Sequence, residues 1–153
     1  MSVVVITGAG QGQGAAEARL LAARGATVVA ADLTETPAED LAGVDYRRRD
    51  VTDQAGWADL AQDLAERHGR VHGLVANAGI TWRARLLDVA PADVHRVHEV
   101  NVTGVLLAIQ AIAPLMTAGG SIVLVGSAAA LTGHFPVAYT ASKWALRGLA
   151  KAA

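Results

Sequence analysis

The chain has 153 residues, a formal net charge of −1, a sequence pI near 6.5 and no cysteine. This length suits one domain with a buried core, and the balanced charge argues against nucleic acid as a partner. The lack of cysteine excludes disulfides, thiolate catalysis and thiolate metal sites. The chain starts with an apolar strand rather than a basic leader, so we expect a cytoplasmic protein without a secretory signal.

Short apolar strands alternate with helices along the chain. Strands are predicted at residues 3–7, 27–31, 44–49, 73–76 and 121–125. Helices are predicted at residues 12–24, 53–68, 92–116 and 138–153, with Pro114 marking a bend or the last turn of the third. Apolar strands that alternate with helices predict a parallel sheet covered on both faces, in a doubly wound, Rossmann-like α/β fold. We expect one domain over residues 1–153, with ligands at the carboxyl ends of its strands.

Residues 100–142 contain no Asp, Glu, Lys or Arg. A membrane span needs about 20 mostly apolar residues in succession. Asn101, Gln110, Pro114 and the Gly119–Gly120 pair interrupt this stretch, so we expect a buried helix and then a central strand, and no membrane association. A helix that is apolar nearly all round also indicates a partner subunit, and therefore a homo-oligomer.

A glycine-rich turn follows the first strand and opens the first helix. Gly8, Gly12 and Gly14 have the spacing G-x-x-x-G-x-G, which differs from the G-x-G-x-x-G fingerprint of dinucleotide sites. Such a turn brings bare backbone close to a pyrophosphate, although glycine-rich turns also occur for packing reasons. We expect the residues of this turn to hold a nucleotide, namely Gly8, Gly10, Gln11, Gly12, Gln13 and Gly14.

Asp32 stands at the end of the second strand, 24 residues after Gly8. A carboxylate there can accept both hydroxyls of an adenosine ribose and repel a 2′-phosphate, which predicts a preference for NAD over NADP, with Leu33 beside the site. The alternative is a helix cap or a solvated loop charge. Residues 47–49 are three consecutive arginines. If one of them reached the adenosine ribose, the site could accept the 2′-phosphate of NADP. Side chains alternate along an edge strand, however, which favours solvated arginines.

Tyr139 and Lys143 are four residues apart and so lie one helical turn from each other. A free phenol loses its proton only near pH 10, and a neighbouring ammonium favours the phenolate. Ser127 follows the fifth strand at its carboxyl end, where its hydroxyl could bind a substrate oxygen. Alone, the pair could be ordinary surface residues and the serine a cap.

Together these motifs resemble the short-chain dehydrogenase/reductase family over nearly the whole chain. The glycine motif is matched by Thr7, Gly8, Gly12 and Gly14. The family's adenine-contacting pair is similar to Asp50–Val51, and its motif after the fourth strand is similar to Asn77-Ala78-Gly79. The catalytic residues of the family are matched by Asn101, Ser127, Tyr139 and Lys143.

The resemblance implies an NAD(P)-dependent oxidoreductase that moves a hydride between the nicotinamide and a small secondary alcohol or ketone, without a metal. Tyr139 would be the general acid and base, and Ser127 would orient the substrate oxygen. Lys143 would favour the phenolate and hold the nicotinamide ribose, and Asn101 would hold a water that links Lys143 to solvent. The family also implies a homodimer or homotetramer.

The chain departs from the family pattern in several places. His72 replaces an Asp, Ala76 replaces the first Asn of an Asn-Asn-Ala-Gly form, and the interval from Ser127 to Tyr139 is one residue shorter than usual. The chain stops at Ala153, so the C-terminal part of the family fold is absent from it, and strand five is expected to have an uncovered apolar edge. The alternative function is therefore a non-catalytic nucleotide-binding or oligomerising module that lacks the substrate half. Residues 82–85 could edge the substrate, or carry two solvated arginines.

Overall fold

The computed structural model describes residues 2–152, with only the backbone of residue 117. Five parallel strands form one sheet in the order β3-β2-β1-β4-β5. They are β1 (Val3–Thr7), β2 (Thr27–Asp32), β3 (Asp45–Arg48), β4 (Val71–Ala76) and β5 (Met116–Leu124). The α-helices are α1 (Gly12–Ala23), α2 (Gln54–His68), α3 (Pro91–His98), α4 (Gly104–Ile112) and α5 (Val137–Ala152). The predicted doubly wound α/β fold is confirmed; the predicted end of the last helix, Ala153, lies outside the described residues.

Helices cover both faces of the sheet because successive strand side chains point to opposite sides. On one face, Val5 of β1 packs in a cluster with Leu60 of α2 and Ile112 of α4. On the other face, Ile6 packs with Ala18 of α1. All five side chains are almost completely buried, which explains why the strands read as continuous apolar runs.

The third predicted helix is present but it is not regular. A π-helical turn, Glu99–Thr103, separates α3 from α4, and a 3₁₀ turn that contains Pro114 ends the helix at Leu115. Within residues 2–152, Pro91–Leu115 is the one helix long and apolar enough to span a membrane by composition. This is weak evidence, because core helices have the same composition, and α4 packs here against α2 and β4.

β5 begins earlier than predicted. Met116 pairs with Val71, and the register then shifts so that Ser121 pairs with Gly73. The extra residues form a bulge that contains Gly119 at a φ of +92°, a conformation that glycine adopts without penalty. The side chains of Ile122 and Val123 further along β5 are 38% and 49% exposed, at the outer edge of the described sheet.

The arginines of β3 are not all solvated, so that expectation was wrong for Arg47. Its side chain is only 17% exposed and forms ion pairs with Asp45 and Asp63. These carboxylates raise the pKa of Arg47, while the guanidinium lowers the pKa of Asp45 and of Asp63. Arg67 of α2 joins the same cluster, which ties this edge strand to the helix.

His72 has a structural role at the start of β4. Its Nδ1 accepts a hydrogen bond of 3.0 Å from the backbone N–H of Val3 in β1. A carboxylate could accept the same bond, so the histidine preserves what an aspartate would supply at this position.

Candidate active site

The glycine turn folds tightly against the loop that follows β4. Gly8 has a φ of +65° and Gly12 a φ of +59°, which favour glycine strongly. A Cβ atom on Gly8 would lie 2.7 Å from the Cα of Ala78, and one on Gly14 would lie 2.3 Å from the carbonyl oxygen of Gly8. A side chain on Gly8 would therefore push the turn away from the loop after β4, and one on Gly14 would push α1 away from the turn.

Thr7 and Asn77 fasten the two loops to each other. The hydroxyl of Thr7 accepts hydrogen bonds from the backbone N–H groups of Asn77 and Ala78, at 3.1 and 3.0 Å. The Asn77 side-chain amide donates to the carbonyl oxygens of Thr7 and Gly8, at 3.1 and 3.0 Å. The Asn-Ala-Gly motif thus fixes the shape of the glycine turn as well as bordering the space beside it.

Asp32 holds the turn from the side of β2. One carboxylate oxygen accepts a 2.8 Å hydrogen bond from the backbone N–H of Gly10, and the other accepts from the N–H and the hydroxyl of Thr34, both at 3.2 Å. A Cβ atom on Gly10 would come within 2.9 Å of this carboxylate. Asp32 is therefore neither a helix cap nor a solvated loop charge.

A carboxylate already lies at the N-terminus of α1. The backbone N–H of Gly12 donates a 2.9 Å hydrogen bond to Glu39, which also forms an ion pair with Arg19. The hydrogen bond from Arg19 is the main cause that lowers the pKa of Glu39. An anionic group is thus held where the helix dipole and free N–H groups favour negative charge.

These elements border an open cleft with a volume of about 440 Å³, which we name the first cleft. Ten of the predicted cofactor residues line it: Gly8, Gln11, Gly12, Asp32, Leu33, Asp50, Val51, Asn77, Ala78 and Gly79. Gly10 and Gly14 lie behind this wall, and Gln13 turns outward to bind Glu17. Ile80 and Val100 also line the cleft and were not predicted. Arg49 lines it too, which agrees with the less favoured interpretation of the run 47–49, that one of these arginines reaches the cleft.

Asp50 and Val51 form another part of the wall of the first cleft. The Asp50 carboxylate accepts hydrogen bonds from the N–H and hydroxyl of Thr52, at 2.9 and 2.8 Å. The carbonyl oxygen of Val51 accepts from the indole of Trp57 at 2.9 Å, and its side chain lies against Gly104, where a Cβ atom would approach within 2.9 Å. The residues of the first cleft therefore fit an extended nucleotide, with a backbone cradle between two carboxylates.

Lys143 is buried near the junction of α5 with the sheet, with 5% of its surface exposed. Its ammonium nitrogen donates a 2.8 Å hydrogen bond to the carbonyl oxygen of Val125, and it lies 5.7 Å from the centroid of the Tyr139 ring. Burial lowers the pKa of Lys143 because desolvation disfavours its charged form.

Asn101 lies in the π-helical turn and is fully buried. Its amide nitrogen donates to the Ile80 carbonyl and to the Ser142 hydroxyl, both at 2.9 Å, and its oxygen accepts from the Ile80 N–H at 2.8 Å. A Cβ atom on Gly79 would lie 3.3 Å from the Asn101 oxygen and 3.7 Å from the Lys143 nitrogen. Both polar groups therefore border the same point beside Gly79.

Ser127 and Tyr139 line a second open cleft, with a volume of about 510 Å³. The Ser127 hydroxyl oxygen accepts a 3.1 Å hydrogen bond from the N–H of Ala129. Within residues 2–152, no side chain or backbone group forms a hydrogen bond with the Tyr139 hydroxyl. The first and second clefts meet at Gly79 and Ile80, which line both.

The structure thus brings the four predicted catalytic residues to one end of the sheet, in two layers. Asn101 and Lys143 are buried and bound to backbone, whereas Ser127 and Tyr139 face open space. Ile80 and Val125 could not be identified from the sequence, because they take part through backbone atoms. Arg83 and Phe135 also line the second cleft. Residues 82–85, which include Arg83, could be identified from the sequence as a possible edge of the substrate site, but Phe135 could not.

Comparison with known proteins places the chain in one family. The family model described as short chain dehydrogenase matches residues 2–153. The trans-4-hydroxycyclohexanecarboxylate dehydrogenase of Sinomonas cyclohexanicum is 39% identical, over 97% of this chain and 64% of its own length. A 3-oxoacyl-[acyl-carrier-protein] reductase of Thermotoga maritima is 36% identical, over 97% of this chain and 65% of its own length.

Solved structures agree with these relatives. The ligand-free aldohexose dehydrogenase of Thermoplasma acidophilum superposes with a TM-score of 0.91 at 29% identity, over 99% of this chain and 59% of that one. Levodione reductase superposes with a TM-score of 0.89 at 30% identity, over 97% of this chain and 63% of that one. The chain therefore spans somewhat less than two thirds of the relatives' length. With its family match and its glycine turn, the chain belongs to the short-chain dehydrogenase family.

Proposed function

We propose that the protein is an NAD(P)-dependent oxidoreductase that interconverts a secondary alcohol and its ketone. The observation that carries this proposal is the position of Tyr139, which lines the second cleft while the ammonium of Lys143 lies 5.7 Å from its ring. A proton-transfer group is thus held close to the space where the two clefts meet. The match to the short-chain dehydrogenases supports redox chemistry of this general kind.

The residues divide the work by their surroundings. A bound nicotinamide cofactor would supply the chemistry of hydride transfer, from the alcohol carbon or to the ketone carbon. Tyr139 takes the proton of the alcohol oxygen, or gives it back to the ketone oxygen, and Ser127 donates a hydrogen bond to that oxygen. The ammonium of Lys143 favours the phenolate of Tyr139 by its charge.

Asn101 positions this group of residues. Its amide holds the Ile80 backbone and the Ser142 hydroxyl, and Ser142 in turn donates a 2.7 Å hydrogen bond to the carbonyl oxygen of Tyr139. The backbone of the catalytic helix is therefore anchored to the π-helical turn through two hydrogen bonds. We propose that the Asn101 oxygen also borders a water that relays protons from Lys143 to solvent.

We propose NAD as the preferred cofactor, because the carboxylate of Asp32 lies where the adenosine ribose would bind. Arg48 and Arg49 lie beside Asp32 on the neighbouring chain segment, and Arg49 lines the first cleft. Arg48 is engaged with the Leu33 carbonyl and with Glu35, at 3.3 and 3.6 Å. Titration with NADH and NADPH tests this preference; tighter binding of NADPH would contradict it.

The substrate is proposed to be a small secondary alcohol or ketone. Relatives are named for trans-4-hydroxycyclohexanecarboxylate, for 3-alpha- (or 20-beta-) hydroxysteroids and for L-2,3-butanediol. These names all describe hydroxyl groups on carbon frames, and they give a first panel of compounds to assay. Because the relatives matched are named as dehydrogenases and reductases, a non-catalytic nucleotide-binding module is not favoured.

The central experiment replaces Tyr139 with Phe. NADH binding, measured by nucleotide fluorescence, is expected to persist, whereas turnover of secondary alcohols falls by about a thousandfold, which is typical for loss of a general acid and base. The control is Ser121→Ala, which removes an exposed hydroxyl of β5 that lines neither cleft. Unchanged turnover in Tyr139→Phe would overturn the proposed function.

We further propose that residues 1–153 form a single dinucleotide-binding domain and that the protein is a cytoplasmic homodimer or homotetramer. Large apolar side chains support the assembly: Leu106 on α4 is 39% exposed and Trp144 on α5 is 47% exposed. Light scattering coupled to size exclusion measures the state directly. A monomer at micromolar concentration would contradict this proposal.

A further inference from the structure

Arg83 lies in the segment after β4 and lines the second cleft together with Ser127 and Tyr139. Within residues 2–152, no carboxylate forms an ion pair with Arg83, and no Asp or Glu lines this cleft. Arg19, Arg47 and Arg67 each pair with an acidic residue, whereas Arg85 and several other arginines of the described residues also form no ion pair. Among the arginines of residues 2–152, Arg83 is the one that lines the second cleft. An arginine without a counter-ion therefore borders the cleft that contains the proposed general base.

The position of Arg83 relative to Tyr139 is fixed by backbone contacts. The carbonyl oxygen of Ala84 accepts a 3.3 Å hydrogen bond from the N–H of Val137, the first residue of α5. Tyr139 follows two residues later in the same helical turn. The segment that carries Arg83 is thus attached to the start of the catalytic helix, and the side chains of Arg83 and Tyr139 line the same cleft.

An aromatic wall holds the guanidinium in place. Its central carbon lies 5.8 Å from the centroid of the Phe135 ring, within the range of a cation–π contact. The His134 ring stacks on the same phenylalanine, with centroids 5.6 Å apart, and Thr140 of α5 donates a 3.1 Å hydrogen bond to the His134 carbonyl. The cleft therefore offers a charged end and an apolar side.

We infer that Arg83 is a specificity-determining residue that binds a carboxylate of the substrate, so that the natural substrate is a hydroxy acid or the corresponding keto acid. A planar guanidinium with several N–H donors matches a carboxylate in charge and in geometry. The carbon frame of the substrate lies along Phe135, and its hydroxyl or carbonyl oxygen lies at Tyr139 and Ser127. This inference rests on the proposed function.

The reaction balances without a further reactant. The carbon that bears the hydroxyl gives its hydrogen with the electron pair to NAD⁺, and the hydroxyl proton goes to Tyr139. The hydroxy acid becomes a keto acid, NAD⁺ becomes NADH, and one proton is released. The carboxylate at Arg83 is unchanged, and its part is to bind and orient the substrate.

The test compares an acid with a neutral compound of the same shape. Cyclohexanecarboxylate and cyclohexanecarboxamide are titrated by calorimetry into the protein, alone and with saturating NADH. We expect the acid to bind about fivefold to tenfold more tightly than the amide, as for one charged hydrogen-bonded pair near solvent. In Arg83→Gln this preference is expected to disappear.

Arg85→Gln is the matched control, because Arg85 is two residues away, is also exposed and does not line the second cleft. It is expected to keep the preference for the acid. Equal binding of acid and amide by the unaltered protein, or an undiminished preference in Arg83→Gln, would overturn the inference. Failure to bind NADH, or a preference that persists while no alcohol is oxidised, would contradict the proposed function and leave the carboxylate site standing.

Discussion

The first and second clefts share Gly79 and Ile80 but are built from different parts of the chain. The first is formed largely by the ends of β1, β2 and β4, where backbone groups, Asn77 and Asp32 hold each other through hydrogen bonds. The second is bordered by exposed side chains on loops, among them Phe135, which is 46% exposed. A substitution in the first cleft therefore disturbs the fold itself, whereas one in the second changes mainly what the cleft can bind.

The sharpest test of this difference is Gly14→Ala. Its Cβ atom would lie 2.3 Å from the Gly8 carbonyl oxygen, so we expect a loss of about 3 kcal/mol or more in the free energy of unfolding, together with loss of NADH binding. Chemical denaturation and nucleotide fluorescence measure the two effects.

Gly148→Ala is the control for this substitution. Gly148 lies inside α5, where an added Cβ atom meets no other atom within 4 Å. The stability of this variant is expected to rise by about 0.5–1 kcal/mol, because alanine favours a helix. Equal stability of the two variants would show that the glycine turn is not closely packed.

The second largest effect is expected for Asn101→Ala. This change leaves both polar backbone groups of Ile80 and the Ser142 hydroxyl without their buried partner. We expect a loss of about 3 kcal/mol in urea unfolding, since each unsatisfied buried group costs about 1–3 kcal/mol. Gln110→Ala, which removes an exposed amide from α4, should change stability by less than about 0.5 kcal/mol. A similar small effect of Asn101→Ala would contradict its anchoring role.

The burial of Lys143 is expected to make the stability of the protein depend on pH. Burial lowers its pKa in the folded protein from the ordinary value of 10.5, so between the lowered pKa and 10.5 the unfolded chain holds more protons than the folded one. The free energy of unfolding is therefore expected to rise with pH in that window, by up to about 1.4 kcal/mol per pH unit. Denaturation over this alkaline range measures it.

Lys143→Met should remove this rise, and Lys151→Met, which alters an exposed lysine of the same helix, should retain it. A stability profile that is unaffected by Lys143→Met would mean that the burial of this ammonium does not control the dependence on pH.

Among the substitutions at the proposed site, the smallest effect on stability is expected for Ser127→Ala in the second cleft. Its hydroxyl accepts one hydrogen bond, from Ala129 at the start of a single 3₁₀ turn. We expect the free energy of unfolding to fall by about 0.5–1 kcal/mol, close to the effect of losing an ordinary helix cap. Turnover of a secondary alcohol is expected to fall strongly in the same variant. A cost as large as that of Asn101→Ala would remove the distinction between the two layers of the site.

The first cleft was predictable because its geometry restricts residue type. Gly8 and Gly14 have no room for a Cβ atom, so the requirement is visible in the sequence as spacing, and Asp32 follows an apolar strand that ends beside the turn. The strands themselves were predictable because burial on both faces demands continuous apolar runs.

Features that depend on distant contacts were not predictable. Nothing local in residues 99–103 indicates a π-helical turn, and the hydrogen bonds that Asn101 in this turn forms with the Ile80 backbone join residues 21 positions apart. The start of β5 at Met116 depends on Val71, which lies 45 positions earlier. Arg47 was wrongly expected to be solvated, because Asp63 belongs to a helix whose orientation the strand pattern does not reveal.

The π-helical turn has a consequence for how the long helix can vary. Val97, Asn101 and Val105 are all buried, at successive steps of four residues. In a regular α-helix each such step rotates the side chain by about 40° about the axis, so the two steps from Val97 to Val105 would rotate it by about 80°. The wider π-helical turn keeps the buried side chain of Asn101 on the same side of the helix as the buried side chains of Val97 and Val105. Deleting one residue from 99–103 would rotate all of α4 relative to α3. We therefore expect that this segment can be exchanged between related proteins only as one intact piece.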